Sequence, residues 1–342
     1  MNNLVIGGAG FIGSNLIEKL IKTKNKIFVI DNLSRKGTYE LKKKLGFEKN
    51  YKFFNIDIKN YSQLYNFFCK YKFSKIYLLA GQVAVTTSLV NPRLDFNSNV
   101  LGCFNVLEAI KNSNSKGKII FASTNKVYGK LQHLKFFLTN KGYNLKKFPN
   151  GINENFPVDF ATPYGCSKGS SDFYCQDYYK NFNLKTVVFR QSCIYGRMQL
   201  GIEDQGWIAW MIIAALLKKE IKIYGDGNQV RDALYAEDLI DAYILASKTP
   251  LSNGKVYNIG GGIKSIISVN GLISILENKL NTKIKYKYFK ERQGDQKVFI
   301  SDNSKAKKEF GWTPKTNLNT GLNKTIEWIE KNFDFIKKIN QK

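Results

Sequence analysis

A chain of 342 residues with 43% apolar content can bury a full core in one or two closely packed domains, and its longest apolar run, 207–217, stops short of the roughly 18 to 20 residues that span a bilayer. The formal charge of +26 invites a nucleic-acid interpretation, but lysine is scattered through every segment without a recognition module; the field would help an anionic substrate and specifies none. Five cysteines, odd in number and without a CxxC pair, argue against a disulfide framework or a metal site, and with His133 the single histidine, proton transfer falls to a tyrosine or a carboxylate.

The first predicted strand, 4–7, follows Met1 almost at once, which leaves no room for a signal peptide and implies a cytoplasmic protein. It runs into VIGGAGFIGS, where Gly7, Gly10 and Gly13 allow a tight turn that lays a pyrophosphate on the N-terminus of the helix 13–22. The second strand, 26–31, ends at Asp31, about 20 residues on, where a carboxylate would bond both ribose hydroxyls and repel a 2′-phosphate, favouring NAD over NADP. A glycine turn followed by a helix-capping aspartate is the plainer alternative. The third strand, 51–57, ends at Asp57, equally suited to an adenine contact or an N-cap.

Helical spacing follows at 61–71, a strand at 75–80, a helix at 99–112, and strands at 118–123 and 185–190. This alternation predicts an α/β fold, a Rossmann-type doubly wound parallel sheet. From about 194 the rhythm loosens: a helix at 207–219, a turn at 224–232, a helix at 237–248, a strand and turn at 254–262, a helix at 268–280 and a terminal helix after 316. The expected division is 1–193 for the dinucleotide domain and 194–342 for a smaller α/β substrate domain over the carboxyl ends of the strands, with parts of 223–262 returning to the sheet.

Tyr164 and Lys168 lie four apart, so a helix turns both to one face. A phenol is a poor base at neutral pH unless nearby positive charge stabilises its phenolate. Taken alone the pair is an ordinary surface arrangement. Thr124, at the end of its strand, offers a hydroxyl for the same substrate oxygen or a simple turn cap. Arginine supplies only six of the 53 cations, so Arg231 and Arg292 stand out as places that need a planar fork.

VIGGAGFIGS, Asp31, LAGQ at 79–82, Asn99, STNKVYG at 123–129 and YGCSK at 164–168 occur in an order that resembles the extended short-chain dehydrogenase/reductases of the nucleotide-sugar epimerase and dehydratase group. The resemblance spans about 3–330 and implies a catalytic trio of Thr124, Tyr164 and Lys168. It implies tightly held NAD against Gly7, Gly10, Phe11, Ile12, Gly13, Asp31, Asn32, Asp57, Ile58, Leu79, Ala80, Gln82 and Asn99, together with Tyr164 and Lys168. A nucleotide-diphosphate sugar would meet Thr124, Asn125 and Gln191, with Arg231 and Arg292 on its diphosphate. Relatives are commonly homo-oligomers, and neither nucleic acid nor membrane is an expected partner.

The branch follows from Asn125 and Lys126, which stand where 4,6-dehydratases carry the Asp-Glu pair that expels water. With the insertion between Gly129 and Tyr164, and DQGW at 204–207, the chain is most similar to epimerases that invert C2 of CDP-linked 3,6-dideoxyhexoses for O-antigen synthesis. A UDP-hexose 4-epimerase and a non-catalytic NAD-binding regulator are the alternatives. Two departures are Ile6, where many relatives have Thr, and Gly81, where Ala is common.

Overall fold

The computed structural model describes residues 1–46 and 51–341. Seven strands, β1 (Asn2–Ile6), β2 (Lys26–Ile30), β3 (Tyr51–Phe54), β4 (Lys75–Leu78), β5 (Lys118–Thr124), β6 (Thr186–Gln191) and β7 (Lys255–Ile259), form one sheet in the order β7-β6-β5-β4-β1-β2-β3. Every pairing in it is parallel. The first six strands are those expected from the β-branched runs; the seventh comes from 254–262, which rejoins the sheet beside β6.

Parallel strands need both faces covered, and alternate side chains divide accordingly. Leu4 and Ile6 enter a core with Phe67, Val106, Leu107 and Tyr178, whereas Val5 faces Leu16, Ile17, Leu239 and Tyr243 on the other side. The helix Ala236–Lys248 therefore packs beside the first helix, Phe11–Leu20. Strand order reverses between β1 and β4, and a crevice opens there at the carboxyl ends.

Above that edge lies a second core around Ile212, Ile213, Leu272, Leu276 and Leu322. The expected helix 207–219 is observed at Trp207–Leu216, and the terminal helix as two, Leu318–Lys331 and Phe333–Gln341. The segment 99–112 is regular only from Gly102; Phe96–Leu101 forms a wider π turn that carries Asn99. In the insertion, the hairpin strands Phe136–Thr139 and Gly142–Leu145 pack through Leu145 against Val127, Ile152 and Phe299. No helix among the described residues is long and apolar enough to cross a membrane.

Candidate active site

The loop after β1 is shaped by its glycines. Gly7 has φ +84°, and a Cβ there would lie 2.5 Å from the Ala80 nitrogen. A Cβ on Gly13 would strike the Gly7 carbonyl. The helix Phe11–Leu20 begins at Gly10 with no side-chain cap and no acidic residue in its first turn, so its N–H groups face the crevice unneutralised. The adjoining cavity, about 560 Å³, is lined by Gly7, Gly10, Phe11, Ile12, Gly13, Asp31, Asn32, Asp57, Ile58, Leu79, Ala80 and Gln82.

Asp31 accepts from Ala9 N at 2.9 Å and Leu33 N at 2.8 Å, which aims its carboxylate into this cleft. Burial raises its pKa against the pull of those two bonds. Asp57 accepts from Asn32 Nδ2 at 3.0 Å and Lys59 N at 2.9 Å. Burial pushes its carboxyl up, but these bonds and the Lys59 ammonium outweigh that and leave it below the ordinary value. Asn99 does not line the cleft. It sits behind the wall, bonded to the Gln82 peptide and to Ser167 Oγ at 2.9 Å. Arg35 and Lys36, which the sequence patterns did not single out, line the cleft near Asp31.

Thr124 and Gln191 end neighbouring strands in direct register. The helix Pro163–Phe182 starts beside them, capped by Thr162, whose Oγ1 accepts from Gly165 N at 3.2 Å. Gly165 and Gly169 bring it close: a Cβ would meet the Lys126 carbonyl at 2.8 Å in one case and the Phe160 ring in the other. An ion pair anchors the same helix from beneath, Arg190 Nε to Asp172 Oδ2 at 2.8 Å, and Ser123 Oγ donates to that oxygen at 3.1 Å.

One face of this helix thus carries Tyr164 and Lys168, both buried, to the end of β5. The Tyr164 hydroxyl bonds the Thr124 side chain; burial pushes the phenol up to about 12, and the Thr124 bond opposes this. Burial takes the Lys168 ammonium down to about 8, opposed by Cys103, Cys175, Asp172 and Asp95. In the protein alone, then, the phenol is protonated at neutral pH, and base function requires further stabilisation of its phenolate by positive charge.

A second cavity, about 410 Å³, lies over the trio and meets the first at Phe11, Ile12, Leu79 and Val83. Asn125, Gln191, Arg231 and Arg292 all line it, with Trp207, Trp210 and Met211 from the upper helix. Arg231 Nη2 donates to Asp295 Oδ1 at 2.6 Å, and Arg292 stacks on the Tyr224 ring at 3.8 Å while pairing with Asp204 at 3.2 Å. Asn125 Nδ2 donates to Gln296 Oε1 at 3.3 Å, and Gln191 Nε2 to Tyr243 Oη at 2.6 Å.

Several positioning groups escaped the sequence patterns. Asp95, which accepts from Gln82 Nε2 at 2.5 Å and Ser167 Oγ at 3.2 Å, had only its four-residue spacing from Asn99 to mark it. Asp295 sits three residues after Arg292 in ERQGDQ. Lys126 lines the upper cavity, a place that its position in STNKVYG does not reveal.

Residues 4–325 match the GDP-mannose 4,6 dehydratase family. The chain belongs to that family. It is similar to a CDP-paratose 2-epimerase of Salmonella typhi, 40% identical over 96% of this chain and 99% of that protein. A UDP-glucuronate 4-epimerase of Thermodesulfobacterium geofontis is 34% identical over 98% of both chains. The crystal structure of UDP-glucuronic acid 4-epimerase from Bacillus cereus, in complex with UDP-glucuronic acid and NAD, superposes with a TM-score of 0.84 at 28% identity, covering 97% of this chain and 99% of that one. As a member of the GDP-mannose 4,6 dehydratase family the chain is an enzyme on an extended short-chain dehydrogenase/reductase scaffold, and epimerases as well as dehydratases are among its relatives.

Proposed function

We propose that the chain is an NAD-dependent nucleotide-sugar epimerase that inverts C2 of a CDP-linked 3,6-dideoxyhexose. One observation carries this. Thr124, Tyr164 and Lys168 converge where the glycine-loop cleft opens into a second cavity rimmed by Arg231 and Arg292, with no carboxylate at 125 or 126 to expel water. The similarity to a CDP-paratose 2-epimerase favours that nucleotide and that carbon.

The lower cleft suits NAD: its floor has no Cβ at Gly7, an uncapped helix end faces the crevice, and Asp31 presents a carboxylate for ribose hydroxyls. Bound there, NAD supplies a reversible acceptor for hydride from the sugar carbon. Tyr164 takes the hydroxyl proton and later returns it, and Thr124 holds the same oxygen. Lys168 holds the nicotinamide ribose and adds positive charge beside the phenol. Arg231 and Arg292 grip the diphosphate, so the 2-keto sugar can turn its other face without leaving. Net redox is zero.

The cytoplasm is the proposed setting, and self-association the proposed assembly. Phe96, Phe173, Tyr174 and Phe182 lie exposed in and near the helices 102–112 and 163–182, which supports contact between copies.

Incubation of the purified protein with CDP-paratose and with UDP-glucose, followed by NMR of the products, tests the proposal. Inversion at C2 of the CDP sugar is expected, with NAD co-purifying. Inversion at C4 of the UDP sugar would establish the 4-epimerase alternative; bound NAD with no turnover of either would leave a regulator.

A further inference from the structure

Lys126 is the group in the upper cavity that the proposed chemistry leaves unused. It is the second residue of the turn Asn125–Tyr128 after β5, where its backbone N–H donates to Thr124 Oγ1 at 3.3 Å, and its side chain reaches the cavity wall. Its ammonium lies 3.4 Å from Asp295 Oδ1 and 3.3 Å from Gln296 Oε1, both at the long end for a charged donor. Arg231 holds that same Asp295 oxygen at 2.6 Å. Two cations therefore share one carboxylate, which leaves an excess positive charge in a partly buried site. Other charges nearby do not balance it: Glu203 and Asp204 are engaged by Tyr224, Lys222 and Arg292.

Resting on the reading of this cavity as a nucleotide-sugar site, we propose that Lys126 is a binding residue for the sugar-bearing phosphate, to which its ammonium transfers from Asp295 and Gln296. The placement follows from the chemistry. If the reacting carbon is C2, it is bonded to the anomeric carbon, whose oxygen carries that phosphate. A cation two residues from Thr124 then meets the phosphate nearest the sugar, and Arg292, at the Tyr224 end, meets the nucleoside side. Where a dehydratase uses a carboxylate at this position to expel water, this chain would use an ammonium to hold the anomeric end.

Burial and the Arg231 charge lower Lys126 to about 8, opposed by Asp295 and Cys193. Contact with a phosphate would raise it again, so the bond is strongest at low pH and is lost as pH rises through and above 8. The groups facing Lys126 are Asp295 from the loop after Tyr286–Phe289, Arg231 from Val230–Tyr235 and Cys193 from Cys193–Tyr195, with Tyr164 and Lys168 also lining the cavity. Burial holds Cys193 up to about 12, and Lys168, like Lys126, sits near 8.

The test is calorimetric titration of the NAD-loaded enzyme with CDP and with CMP, which lacks the second phosphate. Wild type should prefer CDP, and Lys126→Met should lose about tenfold or more of CDP affinity and little for CMP. Lys126→Arg should keep the preference. An unchanged CDP-to-CMP ratio in Lys126→Met, with CDP still bound, overturns the proposal and leaves the nucleotide-sugar reading intact; failure of wild type to bind CDP overturns both. Should Lys126→Met not fold, the pH dependence decides. The ratio should fall between pH 7 and about 9.5 in wild type and fall less in Lys126→Arg, where Lys168 alone among the cavity groups named above still titrates in that range. A ratio equally steep, or flat, in both proteins overturns the assignment.

Discussion

Asn99 grips the peptide of Gln82 from both sides: Gln82 N donates to Asn99 Oδ1 at 2.9 Å, and Asn99 Nδ2 donates to Gln82 O at 3.0 Å. The approach depends on Gly81, where a Cβ would lie 2.5 Å from Asn99 Oδ1. The same carboxamide bonds Ser167, the residue before Lys168. One side chain therefore ties the wall of the lower cleft to the helix that carries Tyr164 and Lys168.

Asn99→Ala should remove two bonds from this partly buried backbone and cost about 1–3 kcal/mol, read by urea denaturation. NAD retention should fall as well, although Asn99 does not line the cleft. Full stability and full NAD content in the variant would show that the clamp is dispensable.

Tyr164→Phe should keep the fold and the NAD content while lowering turnover by about 10²–10⁴-fold, because only the proton-carrying oxygen is removed. Thr124→Val should be milder, since it removes a bond to that oxygen and not the oxygen itself. Product formation followed by NMR distinguishes them, and near-normal turnover of Tyr164→Phe would rule out the assigned base.

The buried Lys168 makes a signed pH prediction for the protein freed of NAD. Its pKa is lowered to about 8 in the fold from an ordinary value of 10.5, so between these values the unfolded chain binds the extra proton and stability rises with pH. The penalty is fully present below pH 8. Lys168→Met should therefore gain most relative to wild type near pH 7, and the gain should shrink as pH approaches 10. Parallel denaturation curves at several pH values measure it; a constant difference would contradict the burial of a charged lysine.

Arg231→Lys and Arg292→Lys should each raise KM about tenfold with little change in kcat, although the formal charge is kept. Arg231 uses its fork to bond both the Val230 carbonyl and Asp295, and Arg292 lies flat on Tyr224, geometries an ammonium cannot copy. Steady-state kinetics on the nucleotide sugar decide, and unchanged KM in both variants would make these arginines structural.

What the chain declares in its own order is what local chemistry can encode. The glycine spacing at 7, 10 and 13, Asp31 about a βα unit further on, and Tyr164 four residues before Lys168 each act within one turn or one unit, so their geometry follows from backbone rules. The alternation of strands and helices likewise dictated the first six strands of the sheet. The tertiary structure decided what depends on distant partners. A strand at 254–262 is legible in the chain, but its place as the edge of the sheet, parallel to β6, follows from packing. Asn99 turns behind the cleft wall because the π turn and Gly81 set its direction. Lys126 becomes part of the site because Asp295, 169 residues away, is folded against it. A spacing pattern ranks neighbours along the chain, whereas burial and shared charge arise only once segments far apart are packed together.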